Sequence, residues 1–146
     1  MNSICTSSAP VPLTAVPLVL PMPEAHVRAG FPSPAEDFAV NRLDLTQILV
    51  PHPQATFLLR VAGASMRDIG IDDGDLLVVD RAVKANHGHV VVAIVDGEFT
   101  VKQLHQRAGR MRLKAANPTF PDIVPKDGQT IEVWGVVTSG IKRFVV

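Results

Sequence analysis

A single cysteine, Cys5, leaves this chain without an internal disulfide framework and fits a reducing compartment. Neither charge is in excess: 14 basic and 14 acidic side chains balance to zero, which excludes a global basic field drawing in nucleic acid. Aromatics make up only 5%, with no tyrosine and one tryptophan, Trp134, which reads as core rather than as a base-stacking platform. Residues 1–23 carry no charged side chain, and five prolines (Pro10, Pro12, Pro17, Pro21, Pro23) interrupt every helical window there. The apolar Pro17-Leu18-Val19-Leu20-Pro21 has no basic segment before it, so neither a signal peptide nor a membrane span is expected. No internal repeat occurs.

What is present suffices for one modest core: 47% of 146 residues are hydrophobic. Ser33-Pro34-Ala35-Glu36 has capping-box spacing with proline at the first helical position, which predicts a short helix to about Arg42. Asp44-Leu45-Thr46-Gln47 repeats the signal, with Leu45, Ile48 and Leu49 available for packing. After Pro51 and Pro53 the pattern turns to β, with strands expected at Thr56–Val61, Leu76–Asp80, Val90–Val95, Phe99–Leu104, Met111–Ala115, Ile131–Val137 and Ile141–Val146. Turns at Asp73-Gly74, Asp96-Gly97 and Asp127-Gly128 punctuate them. The pattern predicts a mostly β chain: a compact, strongly twisted β domain with a mobile, proline-rich N-terminal arm extended along the sheet.

The chemistry concentrates in two segments. In Gly63-Ala64-Ser65-Met66-Arg67-Asp68 a serine follows a glycine at the end of a strand, and Ser65-x-x-Asp68 has capping-box spacing. That places Ser65 at the start of a helical turn, where free backbone N–H groups suit a developing oxyanion. Taken alone, a capping serine is the commoner outcome. In Glu98-Phe99-Thr100-Val101-Lys102-Gln103-Leu104 a lysine sits on the returning strand of a hairpin whose first strand is apolar throughout. Strand alternation puts Lys102 on one face with Thr100 and Leu104. Burial disfavours its ammonium, and the neutral amine can take the proton of Ser65. Arg28-Ala29-Gly30-Phe31 supplies a possible substrate within the same chain, so the three segments together suggest a protein that cuts itself.

Weaker features are read structurally. His87-Gly88-His89 fits a turn better than a metal site. His105 stands three positions from Lys102 and so faces away from it. Arg107, Arg110, Arg112 and Lys114 fit a solvated β edge.

Several ordered motifs then carry a resemblance. Phe31-Pro32-Ser33-Pro34-Ala35, Ser65-Met66-x-Asp68, Gly70-Ile71-x-Asp73-Gly74-Asp75 and Asp96-Gly97-Glu98-Phe99-Thr100-Val101-Lys102 resemble the LexA/UmuD family of self-cleaving serine–lysine peptidases, in its UmuD-like, SOS-mutagenesis branch. Asn117-Pro118 and Val133-Trp134-Gly135-Val136-Val137 extend the likeness, which covers roughly Gly30 to the C-terminus. The resemblance implies the LexA/UmuD C-terminal β fold, Ser65 as nucleophile, Lys102 as general base and cleavage between Ala29 and Gly30. It implies that the backbone N–H of Ser65, with that of Ala64, binds the oxyanion. Residues 1–29 would be removed as an arm, leaving 30–146 as the peptidase domain and active homodimer. The activator would be a RecA–single-stranded DNA filament and the partner a UmuC-like Y-family DNA polymerase, in the cytoplasm, with no cofactor and no metal. UmuD proteins commonly carry cysteine before the scissile glycine, where this chain has Ala29, as the repressor members do.

Two other functions use related chemistry. A LexA-like repressor needs a DNA-binding headpiece, and residues 1–29 show no helix-turn-helix pattern, so direct sequence-specific DNA binding is not expected. A signal-peptidase-like protease would be expected to carry a membrane anchor.

Overall fold

The structure is a computed structural model that describes residues 11–12, 16–23, 26–27, 29–30, 40–126 and 128–146. Strands dominate it. In chain order they are β1 (Val11–Pro12), β2 (Val19–Pro23), β3 (Val40–Asp44), β4 (Thr56–Arg60), β5 (Leu76–Asp80), β6 (Val90–Val95), β7 (Glu98–Arg107), β8 (Arg110–Lys114) and β9 (Ile131–Ile141). One helix, α1 (Leu45–Leu49), and 3-10 turns at Pro53–Ala55 and Arg67–Ile69 complete the described elements.

Seven strands form one antiparallel sheet in the order β1-β4-β5-β9-β6-β7-β8, and β2 pairs with β3 in a separate ribbon. The continuous apolar run of β6 reflects its position: it is packed on both faces. Val92 joins Leu59, Val61, Leu77 and Val79 in one cluster, while Val91 and Ala93 join Leu104, Leu113 and Val136 in another. Trp134 packs against the first cluster, edge-on to Phe57 and Phe99 with ring centroids 5.1 and 5.6 Å away.

β9 bridges the two halves of the sheet by twice breaking its own register. Against β5 it skips Thr138, and against β6 it skips Trp134. Each skipped residue is a bulge that adds local twist. The freed carbonyl of Trp134 accepts from Arg81 Nε at 2.9 Å, so this bulge leaves it satisfied.

Most expected strands form within a residue or two of their expected ends. β7 runs on to Arg107 because β8 gives its far end a hydrogen-bonded partner. The turn at Asp96-Gly97 has both residues at positive φ, 48° and 85°, as a tight hairpin of the I′ kind requires. Asp127 of the third expected turn lies outside the described residues.

Two expectations fail. The helix expected from Ser33 to about Arg42 falls partly outside the described residues, and its last part, Val40 to Arg42, belongs to β3 instead. Pro21 and Pro23 hold β2 extended, and pairing with it satisfies the backbone of Val40–Asp44. The strand expected at Ile141–Val146 is absent beyond Ile141. Lys142 is drawn to Asp72 and Asp75 at 2.8 and 2.6 Å, and Phe144, Val145 and Val146 are exposed.

The second capping signal is realised. Asp44 Oδ1 accepts from Thr46 N at 2.9 Å at the start of α1 and also from Leu18 N at 3.0 Å. Thr46 Oγ1 donates to the carbonyl of Val16, and Leu45 N donates to that of Leu18 at 2.9 Å. The N-terminal segment 16–18 is thereby tied to α1.

Candidate active site

β4 delivers the chain to a glycine-hinged loop. Val61 leaves the strand bonded to Asp75 and Gly74, and Gly63 turns the chain at φ 91° while donating its N–H to Asp73 Oδ1 at 2.8 Å. Among the described residues, Ser65 is bonded through its hydroxyl alone. Met66, 1% exposed, is buried and pins the loop to the core, and Gly70 at φ 86° lets it return. Between these anchors Ser65 is half-buried at the lip of a cleft of about 140 Å³. Leu59 to Ala62 form one wall and Phe99 to Lys102 the other.

The alternative role of Ser65, a helix cap, does not occur. Met66, not Ser65, precedes the 3-10 turn Arg67–Ile69, and no side chain caps it. Asp68 pairs weakly with Arg67 at 3.3 Å. The Ser65 hydroxyl points instead across the cleft, where Lys102 Nζ lies 3.1 Å from Oγ.

Lys102 reaches that point because β7 pairs it with Val91 of the buried strand β6 and leaves it 9% exposed. Its nitrogen is also 2.9 Å from Thr100 Oγ1 and 3.1 Å from the Val101 carbonyl. The ammonium thus finds three acceptors, while burial pushes its pKa below the ordinary lysine value of 10.5. On losing a proton, the amine keeps two hydrogens for Thr100 and Val101 and turns its lone pair toward Ser65 Oγ.

Among the described residues, the backbone N–H groups of Ala64, Ser65 and Met66 have no acceptor. Unused donors beside a hydroxyl and an amine are what stabilisation of a tetrahedral oxyanion requires. Ala29 and Gly30, by contrast, do not line the cleft; both are exposed, with no described atom within 4 Å of where a Gly30 Cβ would stand.

Two supports escaped the sequence reading. Thr100 fits an ordinary strand residue, and only its place two residues before Lys102 on the same face signals its role. Asn117 is 4% exposed beneath the serine loop and donates from Nδ2 to the Ala64 carbonyl at 2.9 Å. Its signals were a polar residue before a proline between two strands and the place of Asn117-Pro118 in the family resemblance, neither of which gave it a role.

The remaining features behave as surface and turn. His87 and Gly88 form a turn, and no cluster of three metal-binding side chains occurs among the described residues. His105 lies against His87 with ring centroids 4.7 Å apart, on the strand face opposite that of Lys102. Burial, Arg112, His87, Arg107 and Lys114 hold its pKa below 6.5. Of the basic stretch, Arg107 ends β7, and Arg110, Arg112 and Lys114 lie on β8, an edge strand of the sheet. No helix among the described residues is long and apolar enough to cross a membrane.

A family model described as Peptidase S24-like matches residues 21–138. Protein MucA of Salmonella typhimurium is 47% identical over 117 residues, covering 80% of each chain. Protein ImpA of Shigella flexneri is 46% identical over 127 residues, 86% of this chain and 85% of that protein. Protein SamA of Salmonella typhimurium is 44% identical over 115 residues, 79% of each chain.

Proposed function

The chain belongs to the peptidase S24-like family, in its LexA/UmuD group, and on that premise we propose that it cuts its own backbone between Ala29 and Gly30. Ser65 is the nucleophile and Lys102 the general base. The observation that carries this reading is the 3.1 Å approach of Lys102 Nζ to Ser65 Oγ inside a partly apolar cleft.

The proposed steps are these. Ser65 Oγ attacks the carbonyl carbon of Ala29 while its proton passes to the Lys102 amine. The carbonyl oxygen becomes an oxyanion held by the N–H of Ser65, with that of Ala64 beside it. Collapse breaks the Ala29–Gly30 bond, and Lys102 returns the proton to the Gly30 nitrogen. Water, deprotonated by the same amine, then releases residues 1–29 from Ser65.

The scissile segment must first enter the cleft, since Ala29 and Gly30 lie exposed outside it. That requirement keeps basal cleavage slow. A RecA–single-stranded DNA filament accelerates it by binding the docked state more tightly than the open one. Residues 30–146, as a homodimer, then regulate a UmuC-like Y-family polymerase in SOS mutagenesis, the role implied by the UmuD-like resemblance.

Mass spectrometry of the full chain after incubation with RecA, single-stranded DNA and an ATP analogue tests this directly. A fragment beginning at Gly30 is expected, and Ser65→Ala should remain whole with unchanged circular dichroism. Gly30→Glu should also stay whole, because it puts bulk and charge where the chain enters the cleft. A new N-terminus elsewhere overturns the cleavage site, and fragments from Ser65→Ala overturn the nucleophile.

A further inference from the structure

The peptide that joins Ala64 to Ser65 is held from behind. Its N–H is one of the unused donors beside the Ser65 hydroxyl, and its carbonyl accepts from Asn117 Nδ2 at 2.9 Å. A second, longer bond reaches the same carbonyl from Arg67 N at 3.3 Å. Because the peptide unit is planar and trans, fixing the direction of its C=O fixes the N–H on the opposite side. A donor on the carbonyl also draws charge through the amide and strengthens the N–H as a donor.

Asn117 is itself locked. Its Oδ1 accepts from Thr119 N at 3.1 Å and from Thr119 Oγ1 at 2.9 Å. The backbone donor of Thr119 sets the amide's orientation: Oδ1 must face Thr119, so Nδ2 faces Ala64. One residue earlier, the Ala116 carbonyl accepts from Asp68 N at 2.8 Å, tying the same two segments a second time. A buried polar side chain whose acceptor is held by Thr119 and whose donor goes to one peptide of the serine loop is more than a packing residue.

We infer that Asn117 is the positioning residue of the oxyanion site, aiming and polarising the Ala64–Ser65 peptide whose N–H receives the charge of the scissile carbonyl. This rests on the reading of Ser65 as nucleophile. Asn117 touches neither the substrate nor the dyad, so it acts on the reaction only through that peptide.

The test measures self-cleavage of the full chain against pH. Asn117→Asp keeps the shape and the acceptor for Thr119 but loses the donor to Ala64. Its high-pH plateau rate should fall about 10- to 100-fold, a fraction of the roughly 10²–10³ that loss of a whole oxyanion donor costs. The new carboxylate raises the Lys102 midpoint through its charge, so the plateau is read above that midpoint. A wild-type plateau overturns the inference. If the buried carboxylate unfolds the protein, Thr119→Val decides, since it removes one of the two bonds orienting the amide. Its plateau should fall several-fold at an unchanged midpoint, and a wild-type rate overturns the inference. NMR of the uncleaved Ser65→Ala chain separates this from the premise. The amide proton at position 65 should move upfield when Asn117→Ala is added, whether or not serine is the nucleophile; an unchanged shift overturns the clamp.

Discussion

At the scale of single residues, the site depends on one amine being buried enough to lose its proton and held well enough to use the lone pair. The folded chain releases the Lys102 proton below 10.5, where the unfolded chain still holds it. Between those two pH values the unfolded state binds more protons, so stability contributed by this group rises with pH; below both, its burial is a constant cost. Self-cleavage should therefore rise with pH through the folded-state value, which lies below 10.5, and level off above it, as followed by gel densitometry. Lys102→Arg should be inactive across the range, because guanidinium stays protonated. Cleavage by the arginine variant would point to another base. The types and spacing of Ser65 and Lys102 were legible from the sequence, but the helix-cap role of Ser65 was not realised. A hydroxyl next to an N-terminal turn satisfies the capping pattern equally well whether it bonds the turn or an amine arriving from β7.

At the scale of elements, β9 decides the shape of the sheet, and Gly135 decides how closely it can lie on β5. A Cβ there would stand 2.7 Å from Val79 Cγ1 and 3.3 Å from Arg81 Cγ. Val79 is fully buried and has no room to retreat. Gly135→Ala should destabilise the fold by about 1–3 kcal/mol, the usual cost of overpacking a filled core. Urea denaturation monitored by Trp134 fluorescence, one residue away, measures it, and an unchanged midpoint would mean that β5 and β9 separate freely. The strands themselves were legible because alternation and apolar runs are local properties. The stretch Val40 to Asp44 was not, because its helical signals competed with a strand partner some twenty residues upstream.

At the scale of the whole molecule, the strands that lie within residues 1–29 are partners to the rest. β1 covers the free edge of β4, with Val11 opposite Leu58 and Pro12 opposite Phe57, and β2 covers β3. Proline suits such edge positions because it has no N–H to donate. Removing residues 1–29 would leave β4 and β3 as open edges, and open edges pair with other chains. The fragment 30–146 should exchange its Phe57–Leu58 amides faster than the uncleaved Ser65→Ala chain, and should self-associate more strongly by sedimentation. Equal exchange in the two would mean that the β1 pairing does not persist in solution.

The sequence by itself determined most strands of the sheet from β4 onward and singled out Ser65 and Lys102 as candidates, because each is written in periodicity, turn residues or residue type over a few positions. Only the tertiary structure decided that Lys102 meets Ser65 at bonding distance, that Thr100 and Val101 complete its shell, and that Asn117 stands behind the Ala64 carbonyl. It also left Ala29 and Gly30 outside the cleft. These depend on strand order and on the two slips in β9, which set the distance between residues far apart in the chain. Local patterns fix which way a side chain points along its own strand; which other strand it then faces is set by the packing of the whole sheet.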